Sequence, residues 1–258
     1  MFKQSNIQMR ISKKEKINIE NPEKKKKNLL LSIPRTGNHI IRTFIELFTQ
    51  YPTAGLIGLD DIDCPIYLRS NMNFDIIDPN QFSYYKQHDV ILPEPHYVLK
   101  PEEVNELIFI TRHPLEIFIR EDTYKSIKYK EISYKQQFKE VYFSNLDFYH
   151  QFQGRKLFLY YEDIIEKKDE TIKKVYDFLN IKQEKKLELV LKYKNFIYDE
   201  TLKLSKTTNG GISKGSHYFA ENYKNSSFYK DNMNYIVNKM KDKKYYQDYL
   251  DRYTHLNI

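Results

Sequence analysis

The chain holds a single cysteine, Cys64, among 258 residues. No internal disulfide can form, so the protein is expected in a reducing compartment, and we read it as soluble and cytoplasmic. No apolar run reaches the length of a membrane span: "NLLLSI" and "ELIFI" are the longest. The opening "MFKQSNIQMR" has no apolar core of signal-peptide length, and no internal repeat is visible. Neither charge sign dominates. Lys and Arg number 42 against 35 Asp and Glu, a net +7 in a chain that is 30% charged. That excess permits an anionic ligand without demanding nucleic acid.

What is present divides the chain in two. Residues 1–27 are polar and end in "EKKKK", as expected of a loosely attached basic arm. The arm reads as a solvated lysine run; a tail touching a membrane or polyanion is the competing reading. Residues 28–258 read as one domain large enough to bury a core. "NLLLSI", "ELIFITR" (Glu106 to Arg112) and "KLFLYYED" (Lys156 to Asp163) are short continuous apolar runs, the pattern of buried parallel strands. Helical periodicity follows each. Ile40, Ile41, Phe44, Ile45 and Phe48 share one helical face, Pro114 stands at a helix start with helix expected to about Tyr129, and Ile172, Val175, Tyr176 and Leu179 share another face. Strands alternating with helices predict an α/β fold of three layers, a central mostly parallel sheet between helices. Residues 51–100 carry five of the nine prolines and read as a long irregular insertion, and the C-terminal third is Lys- and Tyr-rich and helical.

The sharpest local signal is "SIPRTGNHI", where a strand runs through a tight polar turn into a helix. The first N–H groups of a helix lack intrahelical acceptors, and the helix dipole adds positive potential there. Gly37 permits close backbone approach, Arg35 supplies a forked cation, and Thr36 and Asn38 supply side-chain donors. The loop lacks the second glycine and the Lys of a Walker phosphate loop, which weakens a Mg-dependent kinase reading. An ordinary capped turn remains the alternative on this stretch alone.

"SIPRTGNHIIRTFIE" (Ser32 to Glu46) resembles the 5′-phosphosulfate loop of the sulfotransferases that use 3′-phosphoadenosine-5′-phosphosulfate (PAPS). Four further segments resemble that family in its order. They are "SYYKQHDV" (Ser83 to Val90), the Lys-x-His segment; "LIFITRHPLEIFIRED" (Leu107 to Asp122), the Arg-x-Pro segment; "LYYEDIIEKKDETIKKVYDFLNI" (Leu159 to Ile181), the Tyr-Glu-Asp segment; and, more weakly, "GISKGSHYF" (Gly211 to Phe219), the late Lys-Gly loop. The resemblance implies a P-loop NTPase-like sulfotransferase fold, PAPS as co-substrate and no metal. It places Arg35, Thr36, Gly37, Asn38 and His39 on the 5′-phosphosulfate and Arg112 on the 3′-phosphate. Tyr161 falls near the adenine, and Lys214 and Gly215 close the 3′-phosphate cradle. His88 becomes the base, assisted by Lys86 and Arg35 at the sulfuryl group. Three positions depart from the pattern. Arg120 stands where the family has Ser, Ser213 where it has Arg, and Ile40 where it often has a Trp, a residue absent from this chain. Arg120 either supplies the guanidinium missing at 213, or points to solvent or pairs with Glu116 one turn earlier.

Sulfuryl transfer needs a base for the acceptor proton and cations for the charge that develops, which suits a neutral imidazole and the Arg35 and Lys86 cations. His96, His39, Glu94 and Glu46 are the rival bases, with Glu46 better read as the solvated end of a helix. Arg112 has an alternative as a salt-bridged strand end, Tyr161 as core packing, and Lys214 with Gly215 as a surface turn. A small-molecule or carbohydrate acceptor is expected, bound by the 51–100 segment and the C-terminal third. A nucleotide-dependent kinase and a non-enzymatic polyanion-binding protein are the competing functions. Oligomeric state stays open.

Overall fold

In the computed structural model, the described residues are 26–33, 36–51, 53–54, 83–87, 100–118, 132–208, 227–243, 249 and 252. They build a parallel five-stranded sheet with helices on both faces. The strands are β1 (Lys27–Ser32), β2 (Thr53–Ala54), β3 (Tyr84–Gln87), β4 (Val104–Thr111) and β5 (Arg155–Tyr160), in spatial order β2-β3-β1-β4-β5. All pairings are parallel. The helices are α1 (Asn38–Thr49), α2 (114–118), α3 (Ile132–Gln151), α4 (Tyr161–Glu166), α5 (Lys168–Phe178), α6 (Glu184–Lys192), α7 (Lys194–Thr208) and α8 (Ser227–Met240).

Alternation along the two central strands sorts their side chains into two cores. Leu29 and Leu31 of β1, with Leu107 and Phe109 of β4, face α2, α3 and α8. Leu30, Ile108 and Ile110 face α1, α5, α6 and α7. Both faces are covered, so both parities are apolar, and the strands read as continuous apolar runs. The predicted face of α1 is the buried one: Ile40, Ile41, Phe44, Ile45 and Phe48 are all within 2% of full burial. Each contributes about 1.5–3 kcal/mol by leaving water.

Three readings of the sequence need correction. Residues 51–100 are not wholly irregular, because β2 and β3 lie within them. β3 reads "YYKQ", with no apolar run to betray it, yet all four residues are buried. Its register beside β1, Leu30 opposite Lys86 and Leu31 opposite Gln87, makes it a strand. The third predicted strand overshoots. The chain turns into α4 at Tyr161, and Glu162 and Asp163 stand in that helix's first turn, where acidic residues complement the dipole. Finally, Glu46 is not a solvated helix end. It is fully buried beside Arg42, also fully buried. Arg42 Nε donates to Thr53 Oγ1 at 2.8 Å, while Thr53 donates its hydroxyl and its N–H to Glu46 Oε1 at 2.5 and 3.2 Å. A charged pair one helical turn apart thus ties α1 to β2.

Candidate functional site

All five strands point the same way, so their C-terminal ends share one edge of the sheet. From β1 the chain leaves towards the β2–β3 side, and from β4 it leaves towards β5. In open α/β sheets the crevice at such a switch point is the expected ligand site. The loop 36–37 and Arg112 lie at these two strand ends.

At the end of β1, Thr36 is fully buried and its hydroxyl donates to the Ile33 carbonyl at 2.7 Å. Its proton therefore pins the loop to the end of β1. Gly37 is the N-cap of α1 with φ +82, ψ 21, a left-handed conformation that glycine adopts without strain. Its carbonyl accepts from Ile40 N and Ile41 N at 3.1 and 3.4 Å. Among the described residues no side chain caps this helix start, and no acidic residue stands in its first turn. Asn38 is 6% exposed, and its Oδ1 is buried with no hydrogen-bond partner among the described residues. His39 is half-buried, and its carbonyl accepts from Thr43 Oγ1 at 2.9 Å.

Tyr161 lies directly over this turn. A Cβ built at Gly37 would fall 3.0 Å from Tyr161 Cδ2 and 3.4 Å from Cε2. The same ring faces Arg112, whose guanidinium carbon sits 4.0 Å from the ring centroid, within cation–π range. Arg112 also reaches Glu116 Oε2 at 3.5 Å, with both side chains nearly buried. Glu116 thus pairs with Arg112 one turn earlier in the chain. Next along the chain, His113 Nδ1 accepts from Leu115 N at 3.1 Å and fastens the start of α2, while His113 N donates to Glu162 Oε1 at 3.0 Å. Burial, with the adjacent Arg112 charge, lowers the His113 imidazole to about 3, so it is neutral at ordinary pH. Lys86 is buried near the end of β3, beside β1.

The crevice therefore brings together Thr36, Gly37, Asn38, Tyr161 and Arg112. Arg35, His88, His96, Glu94, Arg120, Lys214 and Gly215 lie outside the described residues. Sequence reasoning missed Glu162 and the two tyrosines described below, and it named Glu116 only as a partner for Arg120. Glu162 sat inside the quoted Tyr-Glu-Asp segment without a role. Among the described residues, no three His, Cys, Asp or Glu side chains gather as a metal site would require, and no helix is long and apolar enough to cross a membrane.

The sulfotransferase domain model matches residues 25–254 of the chain. No curated protein sequence matches it. Among solved structures, the fold is similar to mouse sulfotransferase SULT7A1 complexed with PAP, at 16% sequence identity and a TM-score of 0.58, over 91% of this chain and 90% of that one.

Proposed function

Because the chain belongs to the sulfotransferase family, we propose that it moves the sulfuryl group of PAPS to a hydroxyl or amine of a small-molecule or carbohydrate acceptor. One observation carries the reading of the donor site: the Tyr161 ring meets both the Gly37 turn and the Arg112 guanidinium in the crevice between β1 and β4. The uncapped start of α1 suits the 5′ anionic end of such a nucleotide. A guanidinium one ring away suits a second anionic group, the 3′-phosphate. The similar mouse protein was crystallised with PAP, which supports the same ligand class here.

In the reaction, the acceptor oxygen forms a bond to sulfur. The bond from sulfur to the bridging oxygen breaks, and the electron pair leaves on adenosine 3′,5′-bisphosphate. The acceptor proton goes to a base, for which we propose His88, one residue past β3. Glu94 and His96 are next in line. Lys86, with Arg35 from the loop, would offset the charge on the sulfuryl and leaving oxygens, a role preorganised cations fill in low-dielectric sites. The roles of His39, Arg120, Lys214 and Gly215 at the two phosphates complete the proposal. No metal is required by this scheme. Cys64, as the lone cysteine, supports a cytoplasmic setting.

Calorimetry with adenosine 3′,5′-bisphosphate in EDTA, set against Mg-ATP, tests the reading. Tight metal-free binding of the bisphosphate, weakened by Arg35→Ala by about 1.5–3 kcal/mol, is expected. Preference for Mg-ATP would favour the kinase alternative.

A further inference from the structure

The C-terminal end of the chain reaches the same crevice. The carbonyl of Arg112 accepts from two tyrosine hydroxyls, Tyr142 of α3 at 2.9 Å and Tyr249 at 3.3 Å. Both hydroxyls also lie within 3.4 Å of Thr111 Oγ1. Tyr249 comes from 137 residues further along the chain and is 3% exposed. Its ring stacks on Tyr160 with centroids 6.2 Å apart at 25°. Three residues later, Arg252 Nη2 donates to Asp163 Oδ1 at 2.6 Å, and its guanidinium lies 3.9 Å from the Tyr160 ring centroid. Tyr249 and Arg252 are both helical, and their spacing puts them on one helical face. Asp163 is two residues from Tyr161, whose ring carries the Arg112 guanidinium.

Arg112 is thus held at both ends. Its guanidinium rests on α4 through Tyr161, and its carbonyl is fixed by Tyr142 and Tyr249. The Arg252–Asp163 ion pair ties the two supports together. We propose that the C-terminal turn is part of the 3′-phosphate site, with Tyr249 and Tyr142 as positioning residues that fix the peptide of Arg112 and thereby aim its guanidinium. The proposal rests on the reading of Arg112 as the 3′-phosphate ligand. An arginine on a long flexible stem gives selectivity only where its root is fixed, because a loose root lets it follow any anion. Buried hydroxyls without this task would contribute to stability alone.

Calorimetric affinities for adenosine 3′,5′-bisphosphate and adenosine 5′-phosphate separate the possibilities, measured on the full chain for wild type, Tyr249→Phe, Tyr142→Phe, the double variant and Arg112→Ala. Each Phe variant removes one oxygen and keeps the packed ring. Tyr249→Phe is expected to weaken the bisphosphate about three- to tenfold, the scale of one neutral hydrogen bond, and the double variant more, with the monophosphate unchanged. Arg252→Gln should shift selectivity in the same direction by loosening the turn. Equal losses for both ligands, or a lower melting temperature with selectivity intact, overturn the positioning role. Arg112→Ala losing the 3′-phosphate preference while both Phe variants keep it overturns this inference alone. A wild type with no such preference overturns the Arg112 assignment as well.

Discussion

Gly37→Ala perturbs the proposed donor site through a single methyl group. Two costs arise from the geometry. An L-residue held at φ +82 pays about 1–2 kcal/mol against its preferred backbone regions. The added carbon would meet Tyr161 Cδ2 at 3.0 Å, so the ring must shift by a few tenths of an ångström. A side chain pushed from its rotamer costs about 0.5–1.5 kcal/mol. The sum is about 2 kcal/mol, which for a chain of this size lowers the melting temperature by about 4–8 °C. The ring also carries the Arg112 guanidinium, so affinity for adenosine 3′,5′-bisphosphate should fall about tenfold, part of one charge-assisted contact. Thermal unfolding and calorimetry read the two effects. In a Tyr161→Ala background only the backbone cost remains, so Gly37→Ala should destabilise by about 1 kcal/mol less there. Wild-type stability and affinity in Gly37→Ala, or the same loss in both backgrounds, would refute the reasoning.

If His88 is the base, as proposed, His88→Ala should abolish transfer and leave bisphosphate affinity unchanged, since a base acts on the acceptor; near wild-type kcat moves the role to Glu94 or His96. Arg120→Ser should weaken the ligand with a 3′-phosphate and spare adenosine 5′-phosphate if Arg120 replaces the guanidinium missing at Ser213, whereas an equal loss for both ligands, or none, sinks that exchange. His113 gives a pH signature. Its folded pKa of about 3 lies below the unfolded 6.5, so the unfolded state binds the extra proton and stability falls as pH drops from 6.5 towards 3. His113→Gln should flatten that part of the stability profile in urea titrations, and an unchanged slope would mean the imidazole protonates without cost.

Legibility followed burial geometry. β1 and β4 are covered on both faces, so their residues are apolar at both parities and the runs stand out. The buried stripe of α1 shows at helical spacing for the same reason. β3 escaped notice because its strand character comes from pairing beside β1 and not from its own composition, since half of "YYKQ" is polar. Arg42 and Glu46 look like surface charges in sequence. Thr53, brought back by the chain turning into β2, bonds to both and holds them as a buried pair. In the candidate site, the strand-turn-helix at Gly37 and the arginine ending β4 were readable because each is local. The contacts of Tyr161 with both join residues far apart in the chain. The hold of Tyr142 and Tyr249 on Arg112 crosses 30 and 137 residues, and no local pattern encodes it.

The most direct test of the account is turnover. Purified protein is incubated with PAPS and pooled hydroxyl and amine acceptors in EDTA, and both products are followed by mass spectrometry. The account predicts adenosine 3′,5′-bisphosphate and a sulfated acceptor in equal amounts, both lost in His88→Ala. Folded protein that binds the bisphosphate yet sulfates nothing in the pools, or that instead phosphorylates an acceptor from Mg-ATP, would contradict it.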